Sequence, residues 1–209
     1  MAHIPDGILS APVLIGGGLL AAAGVALGLR RLDDRMIPRT ALLAAAFFAG
    51  SLIAVPVGPS SVHLLLAGLM GVMLGTATFL AVLVALLLQA LLFGFGGLTT
   101  LGVNTVNIAL PGVLFGMLLG PLIRRTTRPS VRLAAGALAG ALPVLGTAGL
   151  VALSLWMSST DYTPVASVVI ATYLPLALGE AFVTAVIVAF LARVQPDALR
   201  PVAPALAAP

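Results

Sequence analysis

The sequence predicts an all-α fold: a polytopic membrane bundle of about seven transmembrane segments, with the N-terminus outside and the C-terminus inside. Three observations predict it. The first is composition. Of 209 residues, 61% are hydrophobic and 8% charged, and the mean hydropathy is +1.21. Ordinary soluble domains are about 45–50% apolar and about 25% charged. A soluble fold could not bury this much apolar surface, so the solvent must be largely lipid bilayer. The second observation is the spacing of apolar runs, and the third is the placement of the arginines.

Apolar segments lie near residues 9–30, 40–56, 64–74, 76–93, 102–123, 132–157 and 165–192. A full span needs about 17–25 residues, and the third segment is shorter than that. Frequent glycine and proline, 23 and 15 copies, are tolerated in membrane helices. The stretch from His63 to Phe93 decides the topology: it is either one long tilted helix or two helices turning at Gly75-Thr76. The chain has ten arginines and no lysine. Arg30, Arg31, Arg35 and Arg39 follow the first segment; Arg124, Arg125, Arg128 and Arg132 follow the fifth; Arg193 and Arg200 follow the last. Two crossings put all ten on one side, whereas one crossing moves the Arg124–Arg132 cluster to the other. The excess of Lys and Arg in cytoplasmic loops selects two crossings.

This topology sorts the remaining polar residues. His3, Asp6 and the loops 57–63, 94–107 and 158–163 meet on the outer side. Those loops carry almost no charge, which suits segments folded over one another around a pocket. Residues 1–195 form a single membrane domain whose N-terminal segment bears candidate ligands. Residues 196–209 are Pro- and Ala-rich and read as a frayed cytoplasmic tail. The opening Met-Ala-His-Ile-Pro-Asp-Gly has no positive region ahead of the first apolar run, so a cleaved signal peptide is not expected.

The sequence pI near 11.1 does not indicate a nucleic-acid partner, because the arginines sit at helix ends, where positive charge sets topology. Cysteine is absent, which excludes disulfides, thiolate metal sites and a cysteine nucleophile. No Walker motif is present, so ATP hydrolysis would have to come from another subunit.

His3 and His63 are the chain's two histidines. Each admits a plain reading, His3 on a mobile end and His63 at a helix start near the headgroups. Each also admits a metal-ligand reading. A free amine, a deprotonated backbone amide and an imidazole in sequence can hold a divalent metal in a plane, and square-planar nitrogen sites suit Ni(II) or Cu(II). Asp6, between Pro5 and Gly7, reads as a turn residue or as a partner that orients an imidazole. Glu180 lies inside the last apolar segment, where a charge is costly unless paired or protonated. It reads either as a metal-path or coupling residue, or as a structural carboxyl bonded to hydroxyls such as Thr184. Gln89, also within a segment, reads as an interhelical hydrogen bonder. Ala41, Ala45 and Ala49 form a small-residue face on the second segment, which most often serves internal packing and less often a partner interface.

His3-Ile-Pro-Asp-Gly, Ser61-Val-His63-Leu, the run from Gln89 through Gly94-Phe-Gly-Gly-Leu-Thr-Thr-Leu-Gly-Val-Asn104-Thr-Val-Asn107, Gly179-Glu180-Ala-Phe-Val-Thr and Arg193-Val-Gln-Pro resemble the NikM/CbiM family over nearly the whole chain. That family supplies the substrate-binding membrane (S) component of energy-coupling-factor importers for Ni2+ or Co2+. The resemblance implies a planar set made by an N-terminal amine, the backbone nitrogen and imidazole of His3, and the loop histidine His63. It also implies that Asp6, Ser61, Asn104 and Asn107 line or support the pocket. The family usually begins Met-His, whereas this chain begins Met1-Ala2-His3. Removal of Met1 would leave the Ala2 amine and restore the spacing, with His63 as fourth ligand. With Met1 retained, its amine, the amides of Ala2 and His3 and the His3 imidazole complete a square, and His63 is spare.

The resemblance further implies a transmembrane coupling (T) subunit and ATPase subunits as partners, and allows a small accessory membrane subunit beside them. In this family similar alanine faces meet the coupling subunit, which gives Ala41, Ala45 and Ala49 their partner reading. The expected localisation is the prokaryotic inner (plasma) membrane. Ni2+ is favoured because planar nitrogen ligation suits it and because Pro-Asp-Gly looks like the nickel branch. Alternatives are a cobalt-specific component, a vitamin-binding S component, which would want more than 5% aromatics, and an intramembrane enzyme, which would want more than Glu180 at mid-depth. No enzymatic activity is expected.

Overall fold

The computed structural model describes residues 3–57 and 60–200. Among them are seven α-helices: α1 Ala11–Leu29, α2 Met36–Ser51, α3 Ala67–Leu74, α4 Thr78–Phe93, α5 Leu101–Arg125, α6 Pro129–Ser158 and α7 Thr163–Val194. Proline stands in the first turn of α1, α6 and α7, where its missing N–H is no loss. Between α2 and α3 the chain forms a short antiparallel hairpin, β1 Val55–Val57 and β2 Ser60–Val62, with Val55 opposite Val62. The second apolar segment was expected over 40–56; its helix instead ends at Ser51, and the Val- and Pro-containing remainder is β1.

Five runs are long and apolar enough to cross a membrane: 11–29, 67–93, 101–125, 129–158 and 160–194. The run 67–93 is not one rod. It breaks at Gly75, which takes φ 57°, a conformation only glycine adopts cheaply. A 3-10 turn over Gly75–Ala77 then starts α4. Close backbone approaches give the directions. Cβ atoms on Gly112 and Gly116 of α5 would strike Ala67 and Gly71 of α3 in turn, so α3 runs parallel to α5. On α1, Gly24 faces the Phe79 ring and Gly28 faces Thr76–Ala77, so α4 runs antiparallel to α1. The chain therefore reverses at Gly75–Ala77, between a half-length α3 and a full α4.

At eight residues, α3 rises about 12 Å, too little to cross a hydrocarbon core of about 30 Å. The third segment is thus a half-helix that starts well inside the bundle, not a full span. All eight of its residues are buried, which irregular or broken backbone at membrane depth requires. Gly68 meets the Ala139 carbonyl of α6 and Gly71 the Gly112 carbonyl of α5, so glycine is what lets α3 sit at the centre.

Ala41, Ala45 and Ala49 are exposed on α2, while Leu43, Ala44 and Phe47 of the same helix point inward. The small-residue face is therefore not used for packing within the chain. Successive helix directions put every arginine at the end of the bundle opposite His3. There Arg39 and Arg124 donate to the carbonyls of Arg200 and Leu199 at 3.0 and 3.4 Å. Residues 196–199 were expected to fray, but they form a 3-10 turn with Ala198 and Leu199 buried. Residues 201–209 of the expected tail lie outside the described residues.

Candidate metal site

The N-terminal segment crosses the end of the bundle where α5 begins, and three kinds of contact hold it. Ile4 and Leu9 bury against Val103 of α5 and Val151 and Leu155 of α6. Asn104 clamps the main chain of Ile4: its Oδ1 accepts from Ile4 N at 3.0 Å, and its Nδ2 donates to Ile4 O at 3.0 Å. Thr100 Oγ1 also donates to Ile4 O, at 2.7 Å. Asp6 accepts from the amides of Leu98, Thr99 and Thr100 at 3.0–3.3 Å and from Thr99 Oγ1. Those amides are the free donors ahead of α5, where an anion is favoured. The hydroxyl of Thr99 holds the Asp6 carboxyl below its ordinary range; burial opposes it, and the amides of Thr100, Thr99 and Leu98 add to the lowering. Gly97 is needed beneath it, since a Cβ there would overlap the carboxylate.

His3 and His63 are 5% and 6% exposed, and their Nε2 atoms lie 3.1 Å apart. His63 Nδ1 lies 3.0 Å from the Leu64 carbonyl; we assign its proton there, as a donor to that oxygen, which leaves Nε2 with a free lone pair aimed at His3. Burial, then the His63 charge, pushes the His3 imidazole down to about 3. Burial lowers His63 as well, partly offset by its bond to Leu64. Both rings are therefore neutral at physiological pH, the form that ligates metal. Two bonds of about 2.0–2.1 Å across the gap would meet at about 95–100°, close to neighbouring corners of a square.

Two details qualify this pincer. His3 Nδ1 is buried without a partner, yet it is the only ring nitrogen that can close a six-membered chelate with its own backbone nitrogen. The facing Nε2 cannot, so the chelate would need a half-turn of the His3 ring. Further, no group of three or more His, Cys, Asp or Glu side chains that could hold a metal occurs among the described residues. No third side chain of those four types joins His3 and His63 among the described residues, which leaves room in the site for main-chain and terminal donors. Met1 and Ala2, the candidate amine donors, lie outside the described residues, as does the Ser61 side chain.

The other expected pocket residues separate. Asp6 and Asn104 touch loop and main-chain atoms and neither imidazole, so they shape the segment bearing His3 rather than orient its ring. Asn107 does not join this pocket. Its Oδ1 accepts from Ser154 at 3.4 Å, and it lines a cavity of about 200 Å³ with Pro12, Gly16 and Met157. The imidazole pair stands between two larger cavities. One of about 410 Å³ is lined by His3, Ile8, Gly96 and Thr172, among others. One of about 300 Å³ is lined by His63, Leu64, Pro175 and Gly179 among others.

Sequence reasoning missed what Glu180 does. Its Oε1 accepts from the amides of Leu65 and Leu66, not from the Thr184 hydroxyl, which has no partner. The signal was present in His63-Leu-Leu-Leu followed by Ala-Gly: a helix starting inside the membrane without any Ser, Thr, Asp or Asn of its own to cap it.

Residues 3–198 match the CbiM family, described as the cobalt uptake substrate-specific transmembrane region. A Haemophilus influenzae protein provisionally named a metal transport protein is 37% identical over 198 residues, covering 94% of this chain and 96% of its own. An Archaeoglobus fulgidus protein provisionally named a fused nickel transport protein NikMN is 31% identical over 202 residues, 94% of this chain and 68% of its own. The crystal structure of a truncated transition metal transporter has the same fold, with TM-score 0.72 at 24% identity, over 91% of this chain and 96% of that one.

Proposed function

The chain belongs to the CbiM family, and on that premise we propose that it captures Ni2+ at the outer membrane face as the substrate-binding subunit of an ATP-driven energy-coupling-factor importer. Family members are membrane components of cobalt or nickel transporters, with the metal as cargo, and are not enzymes. The site proposed for the cargo is His3, His63 and the terminal amine of Ala2 or Met1, with the His3 backbone nitrogen completing a plane. The observation that carries it is the burial of both imidazoles against one another, 3.1 Å apart at Nε2, with His3 Nδ1 unpartnered and brought to the chelate by a half-turn of its ring. All-nitrogen, square-planar ligation favours Ni(II).

Residues 1–195 act as one membrane domain in the prokaryotic inner membrane, His3 end outside and arginine end inside. That orientation is supported by the collection of all the arginines at one end. The exposed Ala41/Ala45/Ala49 face is a surface that a transmembrane coupling subunit can approach closely, and ATPase subunits complete the importer. Cobalt is the second reading, favoured by the family's description as a cobalt uptake region.

The test is a titration of the purified protein and of His63→Ala with Ni2+, in competition with Co2+ and Zn2+, with intact-mass measurement of the N-terminus. A chain lacking Met1 should lose Ni2+ binding with His63→Ala. A processed chain that binds equally well without that imidazole would overturn the shared site, and tighter Co2+ binding would overturn the nickel assignment.

A further inference from the structure

From His63 the chain descends into the bundle through four residues of irregular backbone, 63–66. These residues span at most about 10 Å between the first and last Cα. The His63 ring is tied to the second of them through Leu64 O, and the last two donate both amides to one oxygen of Glu180. Leu66 takes φ 51°, the only non-glycine among the described residues with positive φ and a conformation held only where surroundings impose it. It stands at the N-cap position of α3. The half-helix therefore has no side-chain cap of its own and borrows one from α7.

Glu180 is a firm anchor. It is fully buried, about 26 Å along α7 from Thr163 at 1.5 Å per residue. A Cβ on Gly140 of α6 would strike the Glu180 carbonyl, so α6 holds this turn of α7 in place. Its second carboxyl oxygen has no partner; one oxygen does the holding.

We propose that Glu180 is the positioning residue for His63: by accepting the Leu65 and Leu66 amides it fixes how far the 63–66 segment descends, and so where His63 Nε2 stands opposite His3. The inference rests on the proposed role of His63 as metal ligand. It assigns Glu180 a function through reach and hydrogen bonding, not through charge or contact with the metal.

Two conservative variants separate these roles. Glu180→Gln keeps the reach and one carbonyl oxygen but loses the charge. Glu180→Asp keeps the charge but withdraws the oxygen by one methylene. The assay is Ni2+ titration of the full chain in detergent, with the visible absorption spectrum of bound Ni2+ as a report on ligand geometry and His63→Ala alongside. Glu180→Gln should bind within about twofold of wild type with an unchanged spectrum. Glu180→Asp should bind about tenfold more weakly, the loss expected when one net hydrogen bond to the segment is broken, with a shifted band. The reverse order would overturn the proposal in favour of a charge role. Wild-type affinity and spectrum in both would also overturn it, as would equal losses in both. If His63→Ala itself binds normally, the fault lies with the ligand assignment rather than with Glu180.

Discussion

Asn104 offers a quantitative handle on the N-terminal segment. In Asn104→Ala the Ile4 amide loses its acceptor and becomes an orphaned buried donor. The Ile4 carbonyl keeps Thr100 Oγ1. One orphaned donor and one lost neutral bond together cost about 2–3 kcal/mol of docking free energy. Against this, burial of Ile4 and Leu9 contributes about 1.5–3 kcal/mol each. If metal binds only the docked segment, the loss reaches the apparent Kd only where docking is no longer nearly complete. Asn104→Ala alone should therefore weaken Ni2+ binding by a few fold. In a Leu9→Ala background, where one apolar anchor is gone, the same change should approach about thirty- to hundred-and-fifty-fold. Isothermal titration of the four proteins gives the cycle. Refutation would come from Asn104→Ala binding Ni2+ within twofold of its parent in both backgrounds, since the clamp would then hold nothing that the site needs.

Three more outcomes are expected. The His3 imidazole is pushed down to about 3 from an ordinary 6.5, so the undocked segment takes up a proton first and docking weakens as pH falls from about 6.5 toward 3. At pH 5 the deficit is about 2 kcal/mol, to be read as faster proteolysis of metal-free protein at the N-terminus than at pH 7; equal rates would contradict it. Ala45→Leu should weaken co-purification with a coupling subunit and leave Ni2+ binding in detergent intact, because Ala45 is exposed; lost metal binding with assembly unaffected would contradict it. Cysteines introduced at Ser60 and Ser159 should label from outside intact cells and one at Arg128 should not; external labelling at Arg128 would overturn the orientation.

The elements legible in the sequence were those with a strong one-dimensional signal. Long apolar runs gave α1, α4, α5, α6 and α7 near their observed limits, all but α4 with arginine at one end, and the reversal at Gly75 was legible because it had to satisfy the arginine count. The hairpin 55–62 was not, since three-residue strands carry too little periodicity to stand out beside a hydrophobic helix. The third segment read as too short for a full span, but not as a buried half-helix. Leu64–Leu74 is as apolar as any span, and only the glycine contacts at Gly68 and Gly71 reveal that it is enclosed by protein on all sides. The proximity of His3 and His63 followed from topology. The separation of Asn104 from Asn107 did not: residues three apart share a helix face, about 60° and 4.5 Å from one another, and here that offset is enough to pass from the N-terminal segment to a different cavity.

The polar groups that sequence reasoning assigned elsewhere share a cause, and it bears on how cargo binding reaches the rest of the molecule. Each has backbone as its partner: Asn104 on Ile4, Asp6 on residues 98–100, Glu180 on residues 65 and 66. In a chain with so few charged residues, salt bridges are scarce, so isolated side chains on α5 and α7, and Asp6 in the segment itself, serve as hydrogen-bond partners for the irregular segments. The two candidate ligands sit on the two segments held in this way, His3 on one and His63 on the other. A metal bridging them would cross-link one segment anchored on α5 and one anchored on α7. Its binding energy would then act on the relative placement of those two helices, at least one of which every other described helix except α2 contacts directly, and which α2 reaches through α3 and α4.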